Sequence, residues 1–227
     1  MTGTPDNADR EGGGRKVRPL RSFGRLKGRP LSPRQEALLE ARLPALSSLE
    51  GLAGEVWLEV GFGGGEHLAG QALAHPDVTL IGVEPFLDGV AKAVTAVDEA
   101  GLTNVRILRG DAREAMAALP DGLLSRLYVL FPDPWPKARH HKRRLVQPGF
   151  VAEAARLLAP GGRFTLATDW AHYADAMLST VLADGRFDWP ARDPDDWRLP
   201  PADHVPTRYQ LKGLGDCAPV FFTFRRV

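Results

Sequence analysis

Hydrophobic positions along the chain follow two rhythms that alternate. Short apolar runs, VWLEV (56–60), VTLIGV (78–83), VRILRG (105–110), RLYVLF (126–131) and RFTLAT (163–168), lack the strict apolar–polar alternation of a half-exposed strand. Continuous runs of this length suit strands buried on both faces. Between them, apolar residues recur every three to four positions. Phe86, Val90, Val94 and Val97 form one such face, closed by Gly101. Phe150, Val151, Ala154, Leu157 and Leu158 form another, ahead of Pro160-Gly161-Gly162, and Trp170, Tyr173, Met177, Leu178 and Val181 a third. These spacings predict amphipathic helices. Strand–helix alternation predicts an α/β fold built on a parallel, doubly wound sheet. APVFFTFRRV (218–227) is a last strand with no helix after it, and RQEALLEARLP (34–44) is a short helix, ended by Pro44, ahead of the first strand.

Composition changes this picture mainly at the N-terminus. Residues 1–30 hold eight Lys or Arg against three acidic residues, with many Gly and few apolar side chains. That predicts a disordered basic arm, followed by a single folded domain over 31–227. The arm is either a solvated leader or a nucleic-acid contact. Formal net charge is only +1, so affinity for a polyanion has to come from where charges cluster. The single Cys217 cannot form an intrachain disulfide, and no long apolar run can span a bilayer or serve as a signal peptide. A soluble, cytoplasmic protein with no membrane partner is expected, as a monomer or homodimer.

Candidate chemistry lies where strands end. LEVGFGGGEHLA (58–69) is a glycine-rich turn from the first strand into a helix, where the backbone can approach a ligand and amides can face it. Its glycines, Gly61, Gly63 and Gly65, depart from the dinucleotide GxGxxG spacing. Glu84 closes the second strand, where a carboxylate can accept both hydroxyls of a ribose. Asp111 follows the third strand at the same rim. Taken in order, these features resemble the class I S-adenosylmethionine-dependent methyltransferases. The resemblance implies a Rossmann-like, mostly parallel seven-stranded twisted sheet with helices on both faces and an antiparallel C-terminal strand. It also implies S-adenosyl-L-methionine as cofactor, held by Glu59, Gly61, Gly63, Glu84, Asp111 and Asp133. A dehydrogenase would use Glu84 but has no comparable use for Glu59 or Asp111.

The stretch LYVLFPDPWPKARHHKRRL (127–145) is more specific. An apolar run meets three prolines around Asp133, then seven basic or imidazole side chains in the eight positions 137–144. Together with RSFGRLKGR (21–29), ATDW (167–170) and TRYQLKG (207–213), it resembles the tRNA (guanine-N7-)-methyltransferases from about Arg21 onward. That resemblance implies methyl transfer to N7 of a guanine in the variable loop of tRNA, and it places Lys137, Asp169, Thr207, Arg208, Tyr209 and Gln210 in the substrate site. Gln210 stands where the family usually has Glu.

Guanine N7 is a lone-pair acceptor without a proton, so no base is needed to activate it. Asp133, confined by Pro132 and Pro134, suits positioning and stabilisation of the charge that develops on the base. On residue chemistry alone, Pro-Asp-Pro is also an ordinary turn. Arg139, His140, His141, Lys142, Arg143 and Arg144, with Lys137, form either an RNA-binding patch or a solvated face; their position beside Asp133 favours RNA. His140-His141 lacks companion ligands at zinc spacing, so no metal is expected. Asp169 could accept the N1–H and N2–H of guanine, or cap the helix near Trp170. Trp135 could stack on a base or pack as a lid. Two other functions stay open: methylation of a base amino group in RNA, and RNA binding without catalysis.

Overall fold

The computed structural model describes Gly28 and residues 30–227. Nearly all of the basic arm, and most of RSFGRLKGR, therefore lies outside the described residues.

Among the described residues seven strands form one sheet: β1 (Glu55–Val60), β2 (Val78–Glu84), β3 (Val105–Arg109), β4 (Leu124–Leu130), β5 (Leu158–Thr168), β6 (Phe187–Asp188) and β7 (Val220–Arg226). Their order is β3-β2-β1-β4-β5-β7-β6. The first five strands are parallel, while β7 runs antiparallel to both β5 and β6. β1 shows why the apolar runs do not alternate, since every residue after Glu55 in it is buried. Two-residue β6 carries no periodicity and is absent from the sequence expectation.

Among the described residues seven helices flank the sheet: α1 (Pro33–Leu46), α2 (Glu66–Ala74), α3 (Leu87–Glu99), α4 (Ala112–Ala117), α5 (Pro148–Leu157), α6 (Ala171–Asp184) and α7 (Asp195–Arg198). α1, α2 and α3 pack over one face around Leu68, Val90 and Val94. α4, α5 and α6 cover the other around Met116, Val151 and Met177. The expected three-to-four spacing thus marks the buried side of α3, α5 and α6.

Three expected boundaries are corrected. Pro44 does not end α1, which runs on to Leu46. The ring sits in the last turn, where only one bond is lost, and Ser47 N still donates to the Leu43 carbonyl at 2.9 Å. Pro160-Gly161-Gly162 belongs to β5 and does not terminate α5. There the register against β4 jumps from Leu124↔Leu158 to Arg126↔Arg163, a bulge that Gly161 accommodates at φ 81°. Asp169 does not cap α6: Trp170 holds the cap position, and Asp216 Oδ1 accepts the Ala171 N–H at 2.8 Å. The Pro- and Asp-rich stretch 190–206 contains the single turn α7.

Candidate active site

In an open α/β sheet, ligands bind outside the carboxyl ends of the strands, where the strand order reverses. That point here lies between β1 and β4. The glycine turn leaves β1 and Pro132-Asp133-Pro134 leaves β4, so the two stretches singled out from sequence flank one crevice. A cavity of about 760 Å³ opens there, floored by Gly61, Gly63 and Glu84 and walled by Asp111, Asp133 and Tyr209. That size suits a nucleoside-containing cofactor.

Backbone geometry explains the glycine spacing. Gly61, Gly63 and Gly65 have φ of 74°, 57° and 82°, the left-handed region that side chains disfavour. A Cβ on Gly61 or Gly63 would meet nothing within 4 Å, which leaves open floor beneath a ligand. Glu84 fixes this turn. Its Oε2 accepts the Gly63 N–H and its Oε1 the Phe86 N–H, each at 2.9 Å. Burial raises the Glu84 pKa, against these two backbone hydrogen bonds. Each oxygen keeps a further lone pair, so both ribose hydroxyls can be accepted.

Asp111 is drawn into a local pair. Arg113 donates from Nε to Oδ1 at 2.9 Å and from its terminal nitrogen to Oδ2 at 2.6 Å. Hydrogen bonding from Arg113 holds the Asp111 carboxyl below its usual range. Glu59 is set apart from the other acids. It is buried at 2% exposure, is not among the residues lining the cavity, and accepts from His67 Nδ1 at 2.9 Å. The hydrogen-bonding partner His67, itself 1% exposed, carries no sequence signal beyond following the glycine turn.

The loop after β4 is held in an unusual shape. Phe131 and Trp135, which bracket Pro132-Asp133-Pro134, both have positive φ, 52° and 44°. A non-glycine residue in this region costs about 1–2 kcal/mol, so surrounding packing must impose it. Phe131 is buried, with its ring centroid 5.7 Å from Tyr209 and 6.2 Å from Phe221. Asp133 remains accessible at the cavity rim, yet loss of hydration against the wall raises its pKa.

The basic run forms a 3-10 turn over Ala138–Arg143. Lys137, Arg139 and Lys142 are exposed, and Lys142 and Arg143 line the cavity. Arg143 lies over the Trp135 ring at 5.0 Å, and His140 meets that ring edge-on at 5.8 Å. His141 packs against His172 at 4.6 Å. Arg144 departs from the expected patch. It is 5% exposed and turns inward, with its guanidinium 4.7 Å above the Tyr173 ring.

Asp169 is 3% exposed, and its Oδ1 has no hydrogen-bond partner among the described residues. Gly215 presses on it so closely that a Cβ there would lie 1.9 Å from the Asp169 carbonyl oxygen. Thr207 Oγ1 accepts the Gln210 N–H at 3.2 Å, and Arg208 Nε lies 3.2 Å from Glu66 Oε1. Gln210 does not line the cavity; its Oε1 is 2.7 Å from His204 Nε2. Tyr209 is the member of this segment that forms cavity wall. Its phenol is pushed up in pKa by burial, with the Asp169 and Asp133 carboxylates adding to the effect.

A glycine turn, an acid closing β2 and a carboxylate after β4 around one crevice of this sheet define a Rossmann-like methyltransferase. Residues 53–215 match the family model described as a putative methyltransferase. Solved structures agree on the fold: the 16S rRNA methyltransferase KamB superposes with TM-score 0.54 at 17% identity, covering 82% of this chain and 93% of that one. TrmN from Thermus thermophilus gives 0.52 at 19% identity, covering 85% of this chain and 48% of that one. Much nearer in sequence is a tRNA (guanine-N(7)-)-methyltransferase of Caulobacter sp. (strain K31), 57% identical over 92% of this chain and 96% of the relative. Its counterpart in Rhodospirillum rubrum is 47% identical over 91% and 88%. The chain belongs to the tRNA (guanine-N(7)-)-methyltransferase family.

Proposed function

We propose that residues 31–227 act as one catalytic domain that transfers the methyl group of S-adenosyl-L-methionine to N7 of a guanine in tRNA, in the variable loop. The observation that carries this reading is the convergence of Glu84, Asp111 and Asp133 on one cavity whose rim continues into the basic 3-10 turn.

S-adenosyl-L-methionine supplies an electrophilic methyl on a sulfonium. The open glycine floor and the spare lone pairs of Glu84 fit its nucleoside. Gly61 and Gly63 let the backbone come close, Glu84 accepts the ribose hydroxyls, and Asp111 sits beside the base. Glu59 acts on this site only through the turn that it and His67 support.

Asp133 removes no proton, because N7 carries none. Its carboxylate places negative charge where the purine becomes cationic, and its poor hydration makes that charge more effective than it would be in water. The flanking left-handed residues keep the carboxylate aimed into the cavity. A base taken out of its stack offers N1–H and N2–H donors, for which Asp169 Oδ1 is an available acceptor. Lys137, Arg139 and Lys142, with Arg143 beside them, meet the phosphates.

The test is methyl transfer from labelled cofactor to total tRNA lacking the modification, with the product mapped by nucleoside mass spectrometry. 7-Methylguanosine in the variable loop is expected. N6-methyladenosine without 7-methylguanosine, or cofactor binding with no transfer, would overturn the reading.

A further inference from the structure

Segment 203–210, which carries Tyr209 to the cavity wall, lies along one side of α2. Gln71 Nε2 donates to the Asp203 carbonyl. The His67 and His204 rings stand 5.5 Å apart. Val205 fills the notch left by Gly70, where a Cβ would come within 2.8 Å of a Val205 methyl. Arg208 reaches Glu66 at 3.2 Å. Residues 66, 67, 70 and 71 share one face of the helix, so four successive anchors seat a segment with little regular structure.

Both ends of this seat are tied to the site. α2 starts directly after Gly65, the last left-handed glycine of the turn, and His67 reaches back to Glu59 in β1. At the other end His204 holds the Gln210 side chain at 2.7 Å, while the Gln210 N–H bonds Thr207 at 3.2 Å and tightens 207–210 into one turn. That turn sets the Tyr209 ring against Phe131, 5.7 Å away.

We propose that segment 203–210 is a strap that seats the tRNA-recognition turn on α2, with Gly70 as its seat and His204 as the positioning residue that locks Gln210. Gln210 then serves as an internal anchor and makes no base contact. The proposal rests on the reading of Thr207–Tyr209 as part of the tRNA site. An irregular strap has a large ordering cost, which tRNA must supply if the anchors do not. Losing an anchor therefore weakens tRNA use and spares cofactor affinity.

The experiment measures KM for unmodified tRNA, kcat, cofactor affinity and thermal midpoint on the full chain. Gly70→Ala should raise KM for tRNA about fivefold while the protein stays folded, since the helix-propensity gain of Ala offsets part of the cost of displacing Val205. Val205→Ala added to Gly70→Ala vacates the notch and should return KM to within about twofold of Val205→Ala alone. An unchanged KM in Gly70→Ala, or no recovery in the double variant, overturns the proposal. His204→Ala and Gln210→Ala should each raise KM and together do no more than either alone, with His204→Asn milder than His204→Ala. Fully additive effects, or a loss of cofactor affinity as large as the rise in KM, also overturn it. Failure of the parent reading shows separately, as wild-type protein that forms no 7-methylguanosine in tRNA.

Discussion

Arg144 donates from Nε to the carbonyl oxygen of Pro134 at 2.8 Å, so the last residue of the basic run fastens the loop that holds Asp133. Its other contacts are to α6: a terminal nitrogen lies 3.2 Å from His172 Nδ1, and the buried Tyr173 ring lies beneath it. One guanidinium thus joins the loop after β4 to α6. Arg144→Ala is expected to lower stability by about 2–3 kcal/mol, since it orphans the Pro134 carbonyl and empties a buried site. Its effect should fall on kcat, with the salt dependence of tRNA binding unchanged. Chemical denaturation and binding isotherms at several salt concentrations separate these outcomes.

The exposed members of the run should behave differently. Replacing Arg139 and Lys142 together by Ala removes two side chains that meet solvent. The slope of log K for tRNA against log salt should become shallower by about 1.5, with stability unchanged. An unaltered slope would identify these residues as a solvated face.

Asp133 sets a pH dependence of known sign. Loss of hydration raises its pKa above that of an ordinary aspartate. The charged form is therefore lost at a higher pH as the solution is acidified, and kcat/KM should fall on the acid side ahead of an unperturbed aspartate. Asp133→Asn should reduce kcat by on the order of 100-fold with cofactor affinity largely kept, and its residual rate should lack that acid limb. A variant that retains the same limb would assign the titration to another group.

Gly89 in α3 lies against the cofactor turn: a Cβ there would stand 2.2 Å from the Gly63 carbonyl oxygen. Gly89→Ala raises intrinsic helix propensity, yet it must displace Gly63 from Glu84. Cofactor affinity is expected to fall about tenfold or more, measured by calorimetry, while the variant remains folded.

Features written locally in the chain were legible, and features made by distant contacts were not. Glu84, Asp111 and Asp133 could be placed because each follows an apolar run at a strand end. The amphipathic faces of α3, α5 and α6 were equally plain from Val90, Val151 and Met177. The basic run gave no such guide, because a 3-10 turn of six residues is too short for periodicity to show that Arg144 points inward. Glu59 matches the family pattern, but its contact with His67, the second residue of α2, has no local sign. Nothing local in the chain signals that His204, six residues earlier, meets the Gln210 side chain. The left-handed Phe131 and Trp135 run against local preference, and so are invisible to it.

The antiparallel course of β7 pairs Val220 with Thr168, so the last strand enters the sheet at the end from which β5 leaves. The segment between β6 and β7, which first packs Trp189 and Trp197 against the sheet face, must consequently climb to the catalytic rim before β7 begins. The cavity thus takes its glycine floor from the first half of the chain and Tyr209 in its wall from a late crossing. Changes of length or composition in 189–219 can reshape which RNA is accepted while the cofactor floor keeps its form. The tail of the sheet gives this enzyme a replaceable face.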